Sequence, residues 1–215
     1  NSSSPKLPTA EYLDAAEEKG MMVLIPLYAH NMKPAGHPDN IENTKRVLNQ
    51  AKDHNATFGY IIMDEPYNND PYPEESLKNS YKIIRDIDPV HPVFVMENAA
   101  SNYKKVALYA DILGIDPYPQ GVKAPTTFVS DCVRTANEAV DNKKPIYCLL
   151  QTFAYRGYMP DAADTKSMIY QTFMNGAKAV GYYCFENSNN GLDLDETEIW
   201  QTLVDFYSDE SSFWF

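Results

Sequence analysis

Asp64 and Glu65 stand side by side at the end of an apolar run, Gly59-Tyr60-Ile61-Ile62-Met63, and Pro66 breaks the chain directly after them. A carboxyl group held among apolar residues resists ionisation, so its pKa climbs toward neutrality and it becomes a usable proton donor. A second carboxylate could then steady a developing positive charge or activate a water. Glu97, Asp116 and Glu186 are the candidates for that role, because each also stands at or just past the end of an apolar run. Successive strand residues point to opposite sides, so Asp64 and Glu65 share one site only if the strand is ending, as Pro66 suggests. Glu65 is the expected catalytic group and Asp64 a substrate-binding one. His30, Asn98, Tyr118 and Gln151 sit at comparable positions and suit hydroxyl binding, and Phe185 offers an aromatic face.

The runs that carry these residues have strand length: 21–28, 59–65, 92–98, 111–118, 145–152 and 179–186. They are continuously apolar rather than alternating, as expected of parallel strands buried on both faces. Helical patterns separate them. Ile41, Val47, Leu48 and Ala51 fall near one helix face, Leu77, Tyr81 and Ile84 on another, and Glu74 and Glu75 open that second helix where its dipole favours acids. A further helix precedes the first run and is expected to close at Gly20. Strand followed by helix, repeated, gives an α/β fold with right-handed parallel crossovers.

An open doubly wound sheet and a (β/α)8 barrel both fit that alternation. The sequence has neither a GxGxxG after the first run nor a GxxxxGK[ST]. Polar residues at the ends of all the runs suit a barrel, whose strand ends converge on one mouth. The expected fold is therefore a (β/α)8 TIM barrel lacking its first two strands, with six βα units as one domain over residues 1–215.

Composition narrows the partners. The net charge of -12 and pI near 4.7 disfavour nucleic acid and anionic membranes. No apolar stretch is long enough to span a bilayer, so membrane insertion is not expected. Cys132, Cys148 and Cys184 lie within apolar patterns and are expected as buried free thiols. No metal is expected, since the strands that would supply histidine ligands in a metallohydrolase barrel have none. No GxSxG nucleophile elbow occurs. Edges left open by missing strands would favour self-association.

The segments GYIIMDEPYNND, DPVHPVFV, YADILGIDPYP, KPIYCLLQTF and GAKAVGYYCFE resemble the (β/α)8 glycoside-hydrolase superfamily, specifically its less characterised bacterial members with a DEP fourth strand and a DxYP sixth strand. The resemblance covers nearly the whole chain. It implies hydrolysis of a glycosidic bond in an oligo- or polysaccharide, no cofactor, and an extracellular or periplasmic location. The runs seen here would be strands three to eight. Glu65 would be the general acid/base of the fourth strand, with Glu186, Asp116 or Glu97 as second carboxylate. The nucleophile position of the seventh strand holds Gln151, a neutral amide that forms no glycosyl intermediate. That departure supports an alternative expectation, a non-catalytic barrel that binds glycans.

Overall fold

The computed structural model describes residues 10–28, 33–186 and 191–208, so His30 lies outside the described residues. The chain divides into two compact units, Asn1–Gly114 and Ile115–Phe215. Six strands alternate with helices, and the β1–β2, β2–β3 and β5–β6 pairs are parallel. The fold is α/β, of the (β/α)-barrel type, with six βα units where a complete barrel has eight.

The first unit contains α1 (Ala10–Glu18), β1 (Val23–Pro26), α2 (Ile41–Ala51), β2 (Thr57–Asp64), the single turn α3 (Pro66–Asn69), α4 (Pro73–Ile87), β3 (Val93–Glu97) and α5 (Tyr103–Val106). The strand β4 (Ile112–Ile115) ends at the boundary. α1 closes at Gly20, as the sequence predicts: its φ of 66° is free of penalty only without a Cβ. There Gly20 N–H donates to the Glu17 carbonyl and Met21 N–H to that of Ala16, both at 2.9 Å. α2 buries Thr44, Val47, Leu48 and Ala51, and α4 buries Leu77, Ser80 and Ile84, each a stripe at helical spacing.

β3 is buried at every residue, as a strand covered on both faces must be. β2 pairs with it through Tyr60↔Val93 and Ile61↔Phe94, after which the register shifts and Asp64 lies opposite Met96. Such an irregularity re-aims the side chains beyond it. The Met96 side chain occupies the space over Gly114 of β4, where a Cβ would overlap its Sδ.

The amino-terminal ends of these strands are tied by two carboxylates. Asp88 is buried, and its side chain accepts from Tyr60 Oη at 2.7 Å, from His91 Nδ1 at 2.8 Å and from the N–H groups of Val90 and His91. Asp111 accepts from Val93 N–H at 2.7 Å, from Tyr81 Oη at 2.9 Å and from the Arg85 guanidinium. Together they anchor α4 to the start of β3.

The second unit contains α6 (Phe128–Ala139), β5 (Ile146–Gln151), α7 (Ala162–Met174), β6 (Ala179–Tyr183) and α8 (Glu198–Ser208). β5 and β6 pair without interruption from Tyr147↔Ala179 to Gln151↔Tyr183. α7 begins with a reciprocal cap: Asp164 N–H donates to Asp161 Oδ1 at 2.7 Å, and Asp161 N–H donates back to Asp164. Cys132 and Cys148 are buried free thiols as expected, and Cys184 is a half-buried one.

Candidate active site

Glu65 is the first residue after β2. Its backbone is left-handed, with φ 45° and ψ 58°, a region that costs a non-glycine residue about 1 kcal/mol. The conformation is held from both sides. Glu65 N–H donates to the Met96 carbonyl at 3.0 Å, and the Glu65 carbonyl accepts from the N–H groups of Asn68 and Asn69. Pro66 then starts α3, for which Glu65 is the N-terminal cap position, but its side chain makes no cap bond. Instead Asn98 Nδ2 donates to Glu65 Oε1 at 2.6 Å and Asn68 Nδ2 donates to Oε2 at 3.0 Å. Amide donors on both oxygens suit a carboxylate.

Asp64, like Glu65, is half-buried. Burial pushes its carboxyl up to about 6, and the charges of Glu65 and then Glu97 push in the same direction. Among the described residues its carboxyl has no hydrogen-bond partner, while its carbonyl accepts from Asn69 Nδ2 at 3.2 Å. Glu97, the last residue of β3, is fully buried. Burial raises its pKa against the opposing Ala99 N–H, which donates to Oε1 at 2.9 Å, and the Asn102 amide. Tyr67 closes this side. Its hydroxyl donates to Glu74 at 2.9 Å and is pushed up to about 12, chiefly by burial, and Lys105 Nζ lies 4.7 Å over its ring. The first unit thus gathers Asp64, Glu65, Glu97 and Asn98 from the sequence expectations. Asn68 was missed, although its place in the YNND segment after Pro66 was a signal. Beside the turn, a pocket of about 480 Å³ runs between residues 33–41 and 69–79.

The second unit carries the remaining candidates. Asp116 follows β4 and is buried. Tyr118, Phe153 and Tyr183, from the ends of three successive strands, form one aromatic cluster. Tyr118 and Phe153 meet edge to face at 5.1 Å, Phe153 and Tyr183 likewise at 5.5 Å, and Tyr118 stacks near Tyr183 at 6.2 Å. Tyr183 is half exposed, so this cluster presents a ring face to solvent. Gln151 is buried and engaged at both ends: its Oε1 accepts from Gln120 N–H at 3.0 Å and its Nε2 donates to the Phe153 carbonyl at 3.1 Å. Phe185 packs edge-on against Trp200 of α8 at 5.8 Å, outside the aromatic cluster. Glu186 is exposed, and its carbonyl accepts from the Cys184 thiol. A pocket of about 310 Å³ lies between residues 119–126, the first turn of α6, Tyr158 and one face of α7 from Asp164 to Gln171.

Among the described residues no group of three or more His, Cys, Asp or Glu side chains could hold a metal ion. No described helix is long and apolar enough to cross a membrane.

No family profile matches the chain. No curated protein matches it. Solved structures do. The β-D-glucuronidase of Dictyoglomus thermophilum superposes with a TM-score of 0.70 at 16% identity, over 99% of this chain and 45% of that one. A putative α-L-fucosidase from Bacteroides thetaiotaomicron gives 0.69 at 10% identity, over 92% and 71%. The family 17 β-1,3-glucanosyltransferase of Rhizomucor miehei gives 0.60 at 14% identity, over 80% and 68%. The likeness is one of fold. These three neighbours are carbohydrate-active enzymes of the fold type that the sequence resemblance implied. This chain spans 37%, 36% and 45% of the first glycosidases it matches.

Proposed function

We propose that the protein is a glycoside hydrolase acting on an oligo- or polysaccharide, with Glu65 as its acid/base group. The observation that carries this reading is the construction around Glu65. A strained left-handed backbone is maintained by three main-chain hydrogen bonds, and two asparagine amides fix the carboxylate. Strain sustained in that way belongs at functional sites. Glu97 supplies a second carboxyl within the same unit, and Asp116 and Glu186 remain the candidates from the second unit. The aromatic cluster of Tyr118, Phe153 and Tyr183 suits stacking against the C–H face of a sugar ring. The glycosidase likeness of the fold supports the substrate class.

The test is a panel of chromogenic aryl glycosides and polysaccharides with the wild type and with Glu65→Gln, Asp116→Asn, Glu97→Gln and Glu186→Gln. Turnover by the wild type, abolished by Glu65→Gln, is the expected result. Turnover that survives in Glu65→Gln removes Glu65 from the chemistry.

One observation favours a second reading, a non-catalytic glycan-binding barrel. Gln151 occupies the place that resemblance assigns to a nucleophile, and both ends of its amide are consumed in holding loops. Glycan binding with no turnover on the same panel decides for it.

A further inference from the structure

The pocket between residues 33–41 and 69–79 has walls fixed by the fold. Its volume of about 480 Å³ falls in the range of small-molecule sites, about 300–1,000 Å³. The loop wall is pinned at several points. Asn40 is buried, and its Nδ2 donates to the carbonyls of Leu27 at 2.8 Å, Pro34 at 3.2 Å and Lys33 at 3.3 Å. Thr44 Oγ1 donates to the Ala35 carbonyl at 2.9 Å, and Gly36 N–H donates to Ser80 Oγ of α4 at 2.7 Å. A Cβ on Gly36 would lie 2.6 Å from the Ser80 nitrogen, so only glycine lets the loop approach α4 this closely. The facing wall begins at α3, the turn that follows Glu65. Asn69 lines the pocket, and its Nδ2 donates to the carbonyls of Asp64 and Glu65, each at 3.2 Å. A ligand held there lies against the turn that carries Glu65.

Two groups on that wall point to a ligand. Tyr72 is 72% exposed, more than any other aromatic residue among those described. Its backbone is nevertheless fixed: it stands between Pro71 and Pro73, its N–H donates to Asp70 Oδ1 at 2.8 Å, and its carbonyl accepts from Ser76 N–H at 3.1 Å. A ring held on so constrained a backbone loses little freedom when something stacks on it. The second group is Asp70 Oδ2, which is buried and has no hydrogen-bond partner among the described residues. A buried acceptor without a donor is costly, and a ligand hydroxyl supplies one. The charge of the pocket narrows the ligand further. Both of its basic groups turn to Asp39: Lys33 Nζ pairs with that carboxylate, and His37 Nδ1 accepts from Asp39 N–H at 3.1 Å. Asp70 and Glu75 line the pocket as well. The uncompensated charge is therefore negative, and a carboxylated sugar would meet like charge.

We propose that this pocket is a subsite for a neutral pyranose ring of a glycan, with Tyr72 stacking on its C–H face and Asp70 Oδ2 accepting from a ring hydroxyl. The inference rests on the glycosidase reading for the class of ligand and adds two things to it. The bound glycan extends from Glu65 across α3 toward the loop of residues 33–41, and it is uncharged where it lies in the pocket.

Calorimetric titration of the full chain carrying Glu65→Gln tests the subsite without turnover. The probes are the neutral tetrasaccharides cellotetraose, laminaritetraose and mannotetraose, and the anionic tetragalacturonate. At least one neutral tetrasaccharide should bind, and tetragalacturonate should bind more weakly than it does. Adding Tyr72→Ala should weaken that binding by about tenfold or more, while Tyr72→Phe, which keeps the ring, should stay within about twofold. Asp70→Asn keeps an acceptor for Tyr72 N–H but sets a donor where Oδ2 stood, and should also cost about tenfold. Tyr12→Ala, at an exposed tyrosine of α1 outside the pocket, is the control that should change nothing. Binding of none of the four probes overturns the proposal, as does binding untouched by Tyr72→Ala or a preference for tetragalacturonate. The two readings fail separately. Tyr72-dependent binding of a neutral tetrasaccharide that the wild type never cleaves keeps the subsite and rejects the hydrolase. Cleavage by the wild type with a KM unmoved in Tyr72→Ala keeps the hydrolase and rejects the subsite.

Discussion

The two ends of β2 and β3 are built on opposite principles. At the amino-terminal end, Asp88 is buried, yet its carboxylate accepts from a tyrosine hydroxyl, a histidine ring and two N–H groups. The outcome is a pKa lowered below the ordinary value: burial acts to raise it, and the hydrogen bonds of Tyr60 and His91 outweigh that. At the carboxy-terminal end, Asp64 has no such donors, and burial pushes its pKa up to about 6. Burial alone therefore does not decide what a carboxyl does; the supply of donors does. One end of the strand pair surrounds its buried carboxylate with donors, and the other leaves Asp64 without them.

The comparison breaks most visibly if Glu65→Gln and Asp88→Ala fail to separate activity from stability. Glu65→Gln should lower kcat on an aryl glycoside by about 10²–10⁴-fold, with a thermal midpoint at or above that of the wild type. Asp88→Ala should cost about 3–5 kcal/mol in urea unfolding at pH 7, because the buried Tyr60 hydroxyl and the amides of Val90 and His91 lose their acceptor. A loss below 1 kcal/mol would show that water replaces the carboxylate and that the ends differ less than their hydrogen bonds suggest.

Stability against pH sharpens the contrast, because the two carboxyls act with opposite sign. Asp88 has a folded pKa below its unfolded one, so its contribution is present above about pH 4 and is lost as pH falls through the folded value. Asp64 goes from 3.8 to about 6 on folding, so the native state holds a proton that the unfolded chain has released between those values. Its cost therefore appears as pH rises through that window and persists above it, with a ceiling on the order of 3 kcal/mol. Asp64→Asn should stabilise the protein by about 1–3 kcal/mol at pH 7.5 and by almost nothing at pH 4. Equal effects at both pH values would mean that Asp64 is not desolvated. The smallest effect is expected at Asp111→Asn, about 1–2 kcal/mol, since the carboxamide still offers one acceptor to Val93 N–H but weakens the Arg85 contact.

Much of this architecture is visible in the sequence, for local reasons. Continuous apolar runs separated by amphipathic stretches give the strands and helices directly, and Pro66 marks the end of β2 because proline cannot extend the ladder. Polar residues at strand ends point to Glu65, Glu97 and Asp116. What the sequence hides is set by pairing across the chain. The register shift that re-aims Asp64 depends on β3, and no pattern within β2 announces it. Nor does the sequence show what surrounds each of the two adjacent acids; the structure puts burial's upward push on Asp64 and two amide donors beside Glu65. Gln151 has the position of a ligand-binding amide; that it is buried and bonded to Gln120 N–H, 31 residues away, and to the Phe153 carbonyl is set by the fold and not by its own strand. Phe185 follows its strand as an aromatic platform would, and its contact with Trp200 of α8 comes from a residue outside the strand pattern.

The left-handed backbone at Glu65 has a consequence for selection. Glycine or asparagine would occupy φ 45° more comfortably than glutamate does. A library randomised at position 65 and enriched for thermal resistance alone will drift toward those two residues. On the proposed acid/base role, the same library enriched for turnover returns to glutamate, and the divergence between the two populations measures what robustness an acid at that position costs.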